Sequence, residues 1–265
     1  MNFTDKYGST ALIAGASEGI GAAFADSLAA EGFNLVLIAR RAEPLQRLAA
    51  MISDRYKVRV TCLESDLSDE DAAEKVIESL NGQEVDFLVY NAALSHIGPF
   101  LASPSQSHEQ AARLNMITPT KLVHHFGGKM IERGRGAMVL MSSMAGFQGS
   151  GFLATYAATK AFSRILAESL WYEWKDNGVD IIACCAGATA TPGYINSRPG
   201  KVSLLAPAVL KPDEVVRECF SMLGKRPSFI TGRGNRLASF IMQRLLTRMK
   251  AVKIMGDNTR RMYGI

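Results

Sequence analysis

Cysteine and tryptophan are scarce in this 265-residue chain, and long apolar runs are missing. The four cysteines are Cys62, Cys184, Cys185 and Cys219, and the adjacent pair lies in the apolar run "VDIIACCAGA". Neighbouring thiols inside a buried strand suit a reducing compartment and exclude a disulfide-stapled secreted scaffold. No stretch approaches the roughly 18 uninterrupted apolar residues of a membrane span. The start, "MNFTDKYGSTALIAG", lacks a basic segment followed by a signal-like apolar run, so a cytoplasmic location is expected. No His or Cys spacing suits a metal; His124 and His125 are neighbours that would point different ways on a helix. Internal repeats and Pro/Gly/Ser linkers are also missing, which argues for one domain over residues 1–265.

Acid is scarce at one end only. From Lys225 onward ten Lys and Arg face a single acid, Asp257, a net of +9. Residues 1–224 carry 20 bases and 24 acids, so the overall +5 and the pI near 9.0 are properties of the tail. There "NRLASFIMQRLLTRMKAVKIM" sets Leu237, Phe240, Ile241, Leu245 and Met249 at helical spacing, and a basic helix is expected over about 235–255. Its apolar stripe can pack on its own domain, on a second subunit or on anionic lipid. A homodimer or homotetramer is expected, with peripheral membrane contact through the tail as the further option; neither a membrane span nor nucleic acid is.

What is present is an ordinary globular balance, 48% hydrophobic and 21% charged with a mean hydropathy of +0.05. Six short runs, "TALIAG", "NLVLIAR", "KVRVTCLES", "VDFLVYNAA", "GAMVLMSS" and "VDIIACCAG", read as strands. Helix-period stretches separate them, including one around 106–132. Near-continuous apolar strands alternating with helices predict an α/β fold, a doubly wound parallel sheet of Rossmann type.

The first strand runs into "AGASEGIGAAF", where Gly15, Gly19 and Gly21, with Ser17 and Ile20 between them, open a helix. Glycines let the backbone turn tightly and approach a pyrophosphate held at the helix N-terminus. A tight turn with no ligand is the plainer alternative. At the end of the second strand "LIARRAEPL" puts Ala39 where an acid would hold an adenosine ribose, followed by Arg40 and Arg41. Two guanidiniums there favour the 2′-phosphate of NADP(H), although Glu18 brings negative charge close by. Further on, "ATYAATKAF" sets Tyr156 and Lys160 four apart, on one helical face. A lysine cation beside a phenol favours the phenolate, a device for moving protons near neutral pH. A lone pair of this kind also occurs on solvated helix faces, so its meaning depends on company.

Together these residues resemble the short-chain dehydrogenase/reductase family over nearly the whole chain. The glycine turn, "NAA" from Asn91, Asn115, "SSMAG" and Tyr156-x-x-x-Lys160 occur in the family's order, and Ser143 lies thirteen residues before Tyr156. At finer grain "MNFTDKYGSTALIAGASEGIG", "VLMSSMAG", "TPGYINSRPG" and "KPDEVVRECFSMLGK" look like the bacterial 7β-hydroxysteroid dehydrogenases. The resemblance implies an NADP(H)-dependent oxidoreductase interconverting a secondary alcohol and a ketone on a hydrophobic substrate such as a hydroxysteroid. A carbonyl or 3-oxoacyl reductase is the alternative, and a non-catalytic NADP-sensing protein a further one.

By the same resemblance Tyr156 is the acid or base, Ser143 binds the substrate oxygen, Lys160 serves the phenol and the nicotinamide ribose, and Asn115 holds a relay water. Asp66 with Leu67 meets the adenine, Asn91 lies over the cofactor, and Thr189 and Thr191 meet the nicotinamide carboxamide. Three departures stand out. The threonine before the glycine turn is Ala14, "NNAG" becomes "YNAA", and the proline of "PG" after the sixth strand is Ala186. A substrate lid is expected over 191–210, where Leu204, Leu205, Val209 and Leu210 are apolar between prolines. His96 is a candidate for the pocket rim.

Overall fold

The protein is described by a computed structural model over residues 3–197, 200 and 209–265. A short helix α1 (Phe3–Tyr7) precedes β1 (Thr10–Ala14), α2 (Gly19–Ala30), β2 (Asn34–Ala39) and α3 (Ala42–Tyr56). β3 (Val60–Glu64), α4 (Ala72–Ser79) and β4 (Phe87–Tyr90) follow. Next come α5 (Ser105–Ala112), α6 (Thr118–Arg133), β5 (Gly136–Ser143), α7 (Ala154–Trp174) and β6 (Val179–Ala186). The last elements are α8 (Pro192–Asn196), α9 (Pro212–Met222), β7 (Ser228–Ile230), α10 (Arg233–Phe240) and α11 (Arg248–Tyr263).

The strands form one parallel sheet in the order β3-β2-β1-β4-β5-β6-β7. Side chains alternate across each strand, so the apolar runs feed two cores at once. In β1, Ala11 and Ile13 join Phe24, Leu28, Leu45 and Val215 on one face. Leu12 and Ala14 join Val76, Leu122 and Phe126 on the other. Complete burial of each such Leu or Phe is worth about 1.5–3 kcal/mol, and that requirement forces helices onto both faces. The strand order reverses between β1 and β4, and the crevice beyond their carboxyl ends is where such sheets bind ligands.

Six strands lie where the apolar runs put them, and β7 is a seventh. With three residues, pairing only β6, it is too short to carry a period. The stretch around 106–132 is not one regular helix. A π-helical turn, Arg113–Ile117, joins α5 to α6. Thr118 N donates to Arg113 O in the π register, and Pro119, the next residue, has no N–H to return to the Leu114 carbonyl. Tyr90 compensates, its buried hydroxyl donating to Leu114 O at 2.6 Å. That bond gives the tyrosine of "YNAA" a structural task.

The basic tail also departs from expectation. No continuous helix spans 235–255: after α10 comes a π-helical turn, Ile241–Leu245, and Leu246 is extended. Thr247 then caps α11, its side chain accepting from Lys250 N. The break turns the tail back over its own chain, with Ala251 and Thr259 buried and Arg248 Nη1 donating to Phe147 O at 2.7 Å. The expected apolar stripe does not pack on its own domain, since Leu237, Phe240, Ile241, Leu245 and Met249 are all exposed. Among the described residues no helix is long and apolar enough to cross a membrane.

Candidate active site

The glycine turn after β1 builds a cradle. Gly15 and Gly19 have φ of +81° and +59°, a region that L side chains avoid. A Cβ on Gly15 would stand 2.6 Å from Ala92 N, and one on Gly21 would stand 1.9 Å from Gly15 O. Asn91 Nδ2 donates to Gly15 O at 2.8 Å, tying the end of β4 to the same turn. Above it opens a cleft of about 340 Å³, lined by Gly15, Ser17, Gly19, Ile20, Asp66, Leu67, Asn91 and Thr191.

Arg40 and Arg41 close one side of this cleft, above the buried Ala39. Arg41 Nη2 donates to Glu18 Oε2 at 2.6 Å, while Arg40 Nη1 stands 3.8 Å from Asp66 Oδ2. Asp66 is held in place because its Oδ1 accepts from Ser68 N at 2.9 Å and from Ser68 Oγ at 2.6 Å. Thr191 caps α8, its hydroxyl accepting from Tyr194 N at 3.2 Å. Thr189 is buried beside the cleft rather than in its wall, and its hydroxyl donates to Gly187 O at 3.1 Å. A backbone cradle that a Cβ would fill, with guanidiniums at its mouth, fits a dinucleotide.

Ser143, Tyr156, Lys160 and Asn115 lie outside this wall, on β5, α7 and the π-helical turn. Ser143 ends β5, and its Oγ accepts from Ala145 N at 3.2 Å. Tyr156 occupies the first turn of α7. The residue as a whole is partly exposed, yet protein surrounds it densely enough that burial pushes its phenol above the usual tyrosine value. A hydrogen bond with Ser143 acts in the opposite direction. Lys160 is 4% exposed and donates from Nζ to Met141 O at 2.8 Å, with the ammonium 5.7 Å from the Tyr156 ring centre. Burial lowers its pKa to about 8.

Lys160 is therefore anchored on the strand beneath the tyrosine ring. Asn115 is held by protein partners: Nδ2 donates to Leu94 O and to Thr159 Oγ1, and Oδ1 accepts from Leu94 N, each at 2.9 Å. Thr159 Oγ1 in turn donates to Tyr156 O at 2.9 Å. This chain of bonds couples the π-helical turn to the helix that carries Tyr156 and Lys160.

The basic tail comes close to this site, though helical spacing alone does not place it there. α11 lies against the loop after β5, where a Cβ on Gly151 would stand 3.1 Å from Gly256 Cα. Gly200 N donates to Met262 O at 2.7 Å, and Ser197 Oγ lies 3.4 Å from Tyr263 Oη. Nothing local to "RRMYGI" signals this, because the contacts are made across more than 60 residues. Of the expected lid, α8, Gly200, Val209 and Leu210 are described, and Leu204, Leu205 and the intervening prolines lie outside the described residues. Its far root is pinned where Leu210 N donates to Ala188 O at 3.0 Å and Ala190 N to Leu210 O at 2.8 Å. His96 is tied to the first turn of α5, with Nε2 3.2 Å from Ser107 O.

A parallel sheet of this order, with a glycine cradle at its switch point, defines a dinucleotide-binding protein. The chain belongs to the short chain dehydrogenase family, whose model matches residues 9–201, and is an oxidoreductase. It is 36% identical over 236 residues to a 7β-hydroxysteroid dehydrogenase of Clostridium sardiniense, covering 89% of this chain and 90% of that one. A solved structure from work on 7β-hydroxysteroid dehydrogenase stereoselectivity superposes with a TM-score of 0.90 at 33% identity, covering 96% of this chain and 99% of the other. A short-chain dehydrogenase from Sphingobium yanoikuyae in complex with NADPH matches with a TM-score of 0.74 at 30% identity, over 84% of this chain and 87% of that chain.

Proposed function

We propose that the protein is an NADP(H)-dependent dehydrogenase that interconverts a secondary alcohol and a ketone on a hydroxysteroid. The observation that carries this reading is Tyr156 on the first turn of α7, near enough to Ser143 to feel its hydroxyl and 5.7 Å by its ring centre from the buried Lys160 ammonium, beside the glycine-lined cleft. Similarity along most of the chain to 7β-hydroxysteroid dehydrogenases supports the substrate class. The apolar residues of the lid region favour a hydrophobic guest over a sugar.

A bound nicotinamide supplies or accepts the hydride. The residues of the chain place the carbonyl and handle its charge. Ser143 donates to the carbonyl oxygen, stabilising the negative charge that grows there. Tyr156 gives its proton to that oxygen in reduction and takes it back in oxidation. Its raised pKa keeps the phenol protonated, and so competent as an acid, at neutral pH. Lys160, already the less charged for its burial, supports the phenol from below and is positioned to hold a ribose. Asn115 keeps Leu94 and Thr159, and through them the start of α7, in register. Gly15, Gly19 and Gly21 admit the pyrophosphate, Asp66 and Leu67 the adenine, and Arg40 the 2′-phosphate, with Arg41 beside it on the same side of the cleft. The exposed stripe of α10 and the turn after it is the natural seat of a second subunit in a homodimer or homotetramer.

The reading is tested by following NADPH absorbance with a 7-oxosteroid, a 3-oxoacyl thioester and simple aliphatic ketones. The steroid is expected to give the highest kcat/KM. Turnover of the thioester alone would make the protein a 3-oxoacyl reductase, and inertness towards every ketone would leave a nucleotide-sensing role. Arg40→Ala is expected to weaken NADP(H) about tenfold, the loss of one charge-assisted bond at an exposed site, and to leave NAD(H) unchanged. Calorimetry with both cofactors checks this, and equal losses for the two would remove Arg40 from 2′-phosphate recognition.

A further inference from the structure

Glu18 is the N-cap residue of α2, yet its side chain makes no capping bond. Acids at that position ordinarily turn back onto the first free N–H groups of the helix. Here the carboxylate reaches across to Arg41, the N-cap residue of α3, and accepts from Nη2 at 2.6 Å. The pair therefore bridges the turns after β1 and β2, and both residues line the cleft. Among the described residues Arg40, also in the wall, has no partner of that quality: its nearest acid there, Asp66, is 3.8 Å away and already accepts two bonds from Ser68. The two guanidiniums are thus unequal, one neutralised and one available.

We propose that Glu18 is a selectivity-determining residue that withholds Arg41 from the adenosine 2′-phosphate. The inference rests on the NADP(H) reading of this cleft and deepens it. A 2′-phosphate entering beside Arg41 must draw the guanidinium from Glu18 and then lie close to an uncompensated carboxylate. Both effects count against the phosphorylated cofactor and spare the unphosphorylated one. Glu18 thereby narrows a preference that Arg40 and Arg41 would otherwise make large. It acts through charge and not through the fold, because α2 loses no cap bond when the carboxylate is neutralised.

The experiment is calorimetric titration of the full chain, without cofactor, at about 0.1 M salt, where exposed charges still act over roughly 10 Å. The probes are adenosine 2′,5′-bisphosphate and 5′-AMP, which differ only in the 2′-phosphate. Glu18→Gln is expected to tighten the bisphosphate about three- to tenfold and to move 5′-AMP by less than about twofold, the range set by removing one rim charge. Arg41→Ala is expected to cost less than about threefold in the wild-type background and about tenfold in the Glu18→Gln background. That non-additivity is the mark of two residues acting on one ligand group. No gain in bisphosphate affinity from Glu18→Gln, or an equal gain for both probes, overturns the proposal, as does an equal cost of Arg41→Ala in the two backgrounds. Wild-type protein binding both probes equally is a different failure: it removes the NADP(H) reading itself and the inference with it.

Discussion

Tyr156→Phe is expected to lower kcat by about 10²–10⁴-fold, the loss that follows removal of a positioned acid or base. The change deletes one oxygen from a residue whose ring is packed on α7, so the fold should keep its melting temperature within a degree or two. NADP(H) affinity should be nearly unaffected, because the phenol contributes a proton and not a major cofactor contact. In the wild type, ketone reduction should vary little through neutral pH, where the raised phenol stays protonated. Alcohol oxidation should instead climb with pH as phenolate becomes available to accept the proton. That asymmetry should vanish in the phenylalanine variant. Retention of more than about a tenth of kcat, or an unchanged rise of oxidation with pH, would assign proton transfer to another group.

Lys160→Met should separate activity from stability. The ammonium is 4% exposed and its pKa falls from 10.5 to about 8. At about 1.4 kcal/mol per pKa unit, holding the charge in that site at neutral pH costs the fold about 3 kcal/mol. Loss of the bond from Nζ to Met141 O returns roughly 1 kcal/mol of that. The variant should therefore melt about 4 °C or more above the wild type by calorimetry without cofactor, while kcat/KM falls at least about a hundredfold. The unfolded chain keeps its lysine charged up to about pH 10.5, whereas the folded chain releases the proton above about pH 8. The cost to the wild type is thus complete below pH 8 and fades as pH rises towards 10.5, and the gap in melting temperature should close over the same window. A variant that melts below the wild type at pH 7 would show that Lys160 is a structural strut.

The architecture was legible because parallel strands buried on both faces have to be apolar along their whole length. "TALIA" and "NLVLIA" announce such strands without any tertiary information. Likewise, the glycines after β1 are required by local geometry, since only Gly15 and Gly19 take their positive φ without strain. The short β7 was hidden because three residues have no period, and the π-helical turn because Pro119 acts through one missing hydrogen bond inside a helical pattern. Helical spacing around 235–255 misled for a related reason: periodicity reports which residues share a face, not where Thr247 starts a new helix.

Local sequence by itself determined the doubly wound sheet, the glycine cradle and the placing of Ser143, Tyr156 and Lys160 one after another along β5 and α7, because each depends on spacing within one or two elements. Tertiary structure alone decided how those groups are charged and enclosed. Which acid takes Arg41, how deeply Lys160 is buried, and that α11 from the far end of the chain lies against the loop after β5 depend on distances between segments remote in sequence. Electrostatic energies vary with distance and with the water excluded around each charge, and neither quantity exists until the chain has folded.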